Sequence, residues 1–103
     1  MRIRRKPWAR PELENSEYFI DNPKEMKNNW KKCFNNSNPI HVELGCGKGV
    51  FLADLAIKNL NTNFIAIDIK SDVLGYARRN VEKVYTENEQ KVENVILTAY
   101  NIE

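Results

Sequence analysis

Three glycines at alternate positions, in Glu43-Leu44-Gly45-Cys46-Gly47-Lys48-Gly49, separate a stretch of strand character from a stretch of helix character. Glycine adopts positive backbone angles without a Cβ penalty, and it lets the main chain come close to a ligand that a side chain would block. A glycine turn from strand into helix is the ligand-holding corner of an α/β sheet. Residues 40–44 predict the strand. Phe51, Leu52, Leu55 and Ala56 recur at helical spacing and predict a helix over 48–59 that lies on the sheet.

The pattern then repeats. Residues 64–69 form a short continuous apolar run, as expected of a parallel strand covered on both faces. Ser71 is expected to cap a second helix over 72–85, with Val73, Ala77, Val81 and Val84 inward. Residues 86–91 read as a polar surface loop and 95–99 as a third strand. Strand, helix, strand, helix, strand at this spacing predicts right-handed parallel crossovers. The fold class is therefore α/β, the first half of a Rossmann-like, doubly wound and mostly parallel sheet.

Upstream, Arg2, Arg4, Arg5, Lys6 and Arg10 crowd the first ten residues without an acid among them. Pro7 and Pro11 argue against a regular helix there, so Met1 to about Glu14 reads as extended, with residues 1–22 as a basic N-terminal arm and 23–103 as the first half of the folded domain. Asn22 and Pro23 mark a helix start leading into 24–34, with Met26, Trp30 and Cys33 or Phe34 on its apolar face. Residues 35–39 are turn formers. Trp30 and His41 read as core residues.

With 103 residues the chain has room for one domain or a piece of one, and its formal net charge of +2 is too mild to identify a partner. Cys33 and Cys46 lack any paired or metal-binding spacing, so two free thiols and no metal are expected. No apolar run is long enough to cross a bilayer, which leads to the expectation of a soluble, cytoplasmic protein.

The glycine loop discriminates among ligands. A dinucleotide fingerprint wants its third glycine where Val50 stands, and a phosphate loop wants Ser or Thr after Lys48, where Gly49 stands. The carboxylate of Glu43 would repel a phosphate. S-adenosylmethionine, with an ammonium and a sulfonium beside its carboxylate, suits one acid plus free backbone N–H groups. Gly45, Gly47 and Gly49 would then admit the cofactor's close approach. Asp68, at the end of the second strand, can take both ribose hydroxyls through its two oxygens, and Asn101, past the third strand, offers a donor and an acceptor to an adenine edge.

The segments Met1-Arg-Ile-Arg-Arg-Lys-Pro-Trp-Ala9, Asn38-Pro-Ile-His-Val-Glu-Leu-Gly-Cys-Gly-Lys-Gly-Val-Phe51 and Phe64-Ile-Ala-Ile-Asp68 together resemble the bacterial tRNA (guanine-N7-)-methyltransferases. The glycine loop is generic to class I methyltransferases; the Arg-x-x-Lys-Pro-Trp-Ala opening is much more specific. The resemblance implies a seven-stranded S-adenosylmethionine fold and methylation of a guanine in the tRNA variable loop. Carried over by position, it sets Glu43 near the methionine part of the cofactor, Asp68 near the ribose and Asn101 near the adenine. The family more often has Glu in place of Asp68, so the reach differs while the charge is kept, and Asp is common in place of Asn101. An RNA partner gives the arm a use: Arg2, Arg4, Arg5 and Lys6 for phosphates, and Trp8 to stack on an unpaired base.

The family's guanine-binding Asp-Pro-Trp segment has no counterpart here. The sequence therefore predicts a fragment of a protein roughly twice as long, with the catalytic residues beyond Glu103. Alone, such a chain is expected to be inactive and poorly stable, with one sheet edge bare. Two alternatives stand beside this reading. One is a non-catalytic nucleotide-binding module docking on a partner chain; the other is a nicotinamide oxidoreductase, which Val50 disfavours.

Overall fold

The structure, a computed structural model, describes residues 7–20, 34, 36–45, 49–68 and 70–99. Its elements in chain order are α1 (Ala9–Glu14), β1 (Phe19–Ile20), β2 (Ile40–Leu44), α2 (Val50–Lys58), β3 (Asn63–Asp68), α3 (Ser71–Glu87) and β4 (Val95–Ala99). The four strands form one sheet in the order β1-β4-β3-β2, every pair parallel. The three strands expected from the sequence are present in the expected sense. The helix expected over 24–34 lies outside the described residues, apart from a buried Phe34.

Period-two alternation divides the sheet into two faces. Phe64 and Ala66 of β3 meet Val95 and Leu97 of β4 on one face, where Leu52, Ala53 and Ala56 of α2 and Leu74, Ala77, Val81 and Tyr85 of α3 close over them. Ile65 and Ile96 point the other way and pack with Phe34. Burial on both faces is why β3 reads as an uninterrupted apolar run.

At the amino ends of the strands the core is fastened by one buried amide. Asn94 Nδ2 donates to the carbonyls of Ala56, Asn59 and Thr62, and its Oδ1 accepts from the Tyr85 hydroxyl at 2.5 Å. Those carbonyls end α2 and its following turn, where helical partners run out. Burial pushes the Tyr85 phenol up to about 12, so it stays a donor.

Several expectations are corrected. Residues 9–20 are not an extended arm: α1 is helical and β1 pairs with β4 through Phe19↔Leu97 and Ile20↔Thr98. Pro11 is the third residue of α1, inside the first turn, where a backbone N–H has no helical acceptor and its absence costs nothing. Ser71 does not cap α3 through its side chain; its hydroxyl accepts from Arg10 Nη1 at 3.1 Å, and the cap position falls on Lys70. That helix runs on to Glu87, into the expected loop. Phe51 points away from the sheet, 71% exposed, while Ala53 takes a buried place on α2.

Candidate functional site

All strands run the same way, so Leu44, Asp68 and Ala99 end at one edge of the molecule, and that common edge is where an open α/β sheet holds ligands. Glu43 pairs in register with Ala66, and Asp68 follows two residues later. Both carboxylates therefore project on the sheet face that carries α2 and α3. The sequence pattern placed them at neighbouring strand ends, and the structure brings them there.

Gly45 leaves β2 with φ +73, its N–H donating to the Ile67 carbonyl at 2.8 Å. A Cβ built on it would meet nothing within 4 Å. The turn thus needs glycine for its backbone angle, and the space above it is open to a ligand. Gly49 closes the turn as the left-handed cap of α2, and a Cβ there would lie 2.7 Å from Ala77 Cα and Cβ on α3. Its role is close helix packing. Gly47 and Asn101 lie outside the described residues, as do Arg2, Arg4, Arg5 and Lys6.

Asp68 is half-buried, and its Oδ1 accepts from the Lys70 backbone N–H at 3.2 Å, which fixes the carboxylate at the start of α3. Glu43 Oε2 lies 3.0 Å from His41 Nε2, a contact that puts the imidazole proton on Nε2. The expectation of a core histidine is corrected here: the His41 side chain is 48% exposed, its ring tilted against Phe64 at 5.4 Å. Residues 41 and 43 share a strand face, so this pairing was available in the sequence from the period of two.

The Trp8 ring, expected from the sequence to stack on an unpaired base, makes two contacts within the protein. Arg79 stacks its guanidinium 3.5 Å from the ring centroid and Tyr76 meets the ring edge-on at 5.2 Å. Arg79 also forks onto Glu12, Nε to Oε1 at 3.0 Å and Nη2 to Oε2 at 2.5 Å, while Arg78 Nη2 reaches Oε1 at 2.7 Å. Hydrogen bonding from Arg79, joined by Arg78, holds the Glu12 carboxyl down at about 2 despite partial desolvation. No sequence motif announces this cluster, because its partners are brought together only by the packing of α1 on α3.

A groove of about 550 Å³ opens between α1 and the carboxyl half of α3, walled by Glu12, Tyr18, Arg78 and Glu82 among others. It lies away from Asp68, and the convergence of strand ends, Glu43, Gly45 and Asp68 marks the candidate site instead. Among the described residues no group of His, Cys, Asp and Glu is placed to hold a metal, and no helix is long and apolar enough to cross a membrane.

Comparison with known proteins agrees with this geometry. A chain titled "Structure of an antibiotic related Methyltransferase" superposes with a TM-score of 0.52 at 22% identity, covering 79% of this chain and 38% of that one, a likeness of fold. A protein of Clostridium botulinum named tRNA (guanine-N(7)-)-methyltransferase is 59% identical over 99% of this chain. Proteins of the same name from Clostridium beijerinckii and Ruminiclostridium cellulolyticum are 57% and 54% identical. The chain spans about half the length of these curated relatives, 47% in the first case. Residues 37–103, which hold β2 to β4 and the whole strand-end site, match the model of the family described as "Putative methyltransferase", and to that methyltransferase family the chain belongs.

Proposed function

We propose that this chain forms the cofactor-holding part of an S-adenosylmethionine-dependent tRNA (guanine-N7-)-methyltransferase acting in the cytoplasm. The observation that carries the reading is the pairing of Glu43 and Asp68 on one sheet face, beside the open left-handed turn at Gly45. The names of the relatives supply the substrate class.

The residues fit the cofactor's chemistry. Glu43 offers a carboxylate to the amino acid ammonium, Asp68 offers its oxygens to the ribose, and Gly45, Gly47 and Gly49 are assigned to the turn that admits the cofactor's close approach. Asn101 is assigned to the adenine edge. S-adenosylmethionine, when bound, supplies an electrophilic methyl group. Guanine N7 carries an in-plane lone pair, so this chain need furnish no strong general base. Its part is to hold one reactant in a fixed line of approach, and such alignment contributes about 7–11 kcal/mol in favourable cases. No observation favours the non-catalytic docking module.

The test is a calorimetric titration of the complete protein with S-adenosylmethionine, alongside an assay for N7-methylguanine in tRNA. Asp68→Ala is expected to weaken cofactor binding by about tenfold or more, the loss of charge-assisted hydrogen bonds. Equal affinity in wild type and variant would remove Asp68 from the site. Absence of methylated tRNA would remove the assigned substrate.

A further inference from the structure

The register of β2 on β3 gives its two polar residues unlike neighbours. His41 pairs with Phe64, and Glu43 pairs with Ala66. Residues two apart in a strand share a face, and so do directly paired residues, so all four lie on the side that carries α2 and α3. Phe64 is buried in the core beneath those helices. The His41 ring leans on it with centroids 5.4 Å apart and planes at 56°, so the imidazole rests against a side chain that is itself held. Ala66 offers Glu43 no polar group and little surface to rest on.

Glu43 is a long side chain in a part-exposed place, on a strand whose outer side has no partner among the described residues. Its rotational freedom is a cost that any ligand must meet on binding. Among the described residues its hydrogen-bond partner is His41, whose Nε2 lies 3.0 Å from Oε2. That bond engages one carboxylate oxygen and leaves Oε1 to accept from another donor. A neutral imidazole supplies a directed N–H without cancelling the charge of the carboxylate, which a lysine or arginine in its place would do.

We propose that His41 is a positioning residue for S-adenosylmethionine: braced on Phe64, it holds the Glu43 carboxylate by one oxygen and thereby presents the other to the ammonium of the cofactor's amino acid end. This deepens the cofactor reading given above and rests on it. His41 acts through Glu43 and touches no reacting atom. Its influence is local, because Asp68, assigned to the ribose, is fixed separately by the Lys70 backbone N–H. The two ends of the cofactor can therefore be probed apart.

The test is a calorimetric titration of the complete methyltransferase with two probes. One is S-adenosylmethionine; the other is 5′-methylthioadenosine, which keeps adenine, ribose and sulfur but lacks the amino acid end with its ammonium and carboxylate. His41→Phe, which keeps a ring against Phe64 and removes the N–H, should weaken S-adenosylmethionine about fivefold, the cost of ordering one long side chain, and leave 5′-methylthioadenosine unchanged. His41→Gln, which restores an N–H on a side chain of similar reach, should recover most of the loss. In a Glu43→Ala background, His41→Phe should cost nothing further. Full affinity in His41→Phe would overturn the proposal, and so would no recovery in His41→Gln. Equal losses for the two probes would overturn it too, since a general loosening of the site lowers both, as would additive losses with Glu43→Ala. Failure of the unaltered protein to bind S-adenosylmethionine is a separate outcome, which would overturn the cofactor reading and this proposal together.

Discussion

The sheet has two edges, and they are finished differently. Beyond β4, the two residues of β1 complete the hydrogen bonding, Thr98 Oγ1 donates to the Ile20 carbonyl at 2.6 Å, and α1 is fastened to α3 by the Glu12 cluster. Beyond β2 there is no strand among the described residues. Val42 and Leu44 are 52% and 72% exposed there, and Val50, Phe51 and Leu60 are further exposed apolar side chains among the described residues. One edge is closed by residues 9–20, and the other has no strand partner among the described residues. An edge of that kind invites another strand. The difference teaches that β2 leaves apolar side chains uncovered, among the described residues, on the sheet face that carries Ile65, and that residues 9–20 have a structural duty at the opposite edge.

The contrast is sharpest in side-chain truncation. Leu97→Ala, at the wholly buried centre of β4, should cost about 2–5 kcal/mol in urea unfolding, whereas Leu44→Ala should cost about 0.5 kcal/mol or less. Equal costs would mean that the β2 edge is covered in solution. Asn94→Ala, which strands three carbonyls and the Tyr85 hydroxyl in the core, should cost about 2–3 kcal/mol and reduce the cooperativity of the closed side first. A change below about 0.5 kcal/mol would show that water reaches those groups.

Acid should loosen the closed edge by a defined route. Glu12 has its carboxyl depressed from 4.5 to about 2 in the folded chain, so its contribution to stability is complete above 4.5 and is lost as pH falls from there towards 2. Glu12→Gln should erase that part of the pH dependence while leaving stability near pH 7 lower, and the comparison of the two acid titrations by circular dichroism checks it. The smallest effect belongs to the open edge. Val42→Lys should leave unfolding of the 103-residue chain within about 0.5 kcal/mol of wild type and reduce self-association in sedimentation, since a charge on an edge strand blocks edge-to-edge pairing. A large destabilisation would mean that this edge already has a neighbour.

The strand-end corner of the fold was legible in the sequence because two signals coincided there. β2 follows its five expected residues, and Gly45 occupies the left-handed corner that the alternate glycines announced. Asp68 reaches the strand-end site because a parallel return fixes which end of β3 faces the ligand. The misreadings share a cause as well. α1 was hidden by Pro11, which is harmful within a helix and harmless in its first turn. β1 is too short to show a period, and its register comes from β4, 78 residues away at the Ile20 and Thr98 pair. Phe51 and His41 have core-like neighbours in sequence, but the open edge leaves both turned to solvent. Arg79 carries no motif; its meaning arises from Trp8 and Glu12, which only tertiary packing brings to it.

The pairing of Phe19 with Leu97 has a consequence for the order of assembly. Those two residues stand 78 positions apart in the chain, and closing a loop that long is entropically expensive until other contacts shorten it. During synthesis, α1 and β1 leave the ribosome early; α1 can dock once α3 forms, while β1 must wait for β4. Only when β4 emerges does the sheet position of β1 exist. Among the described elements β1 would then settle late and release early under mild denaturant, detectable as early hydrogen exchange at Leu97, whose N–H is held by the Tyr18 carbonyl at 2.8 Å.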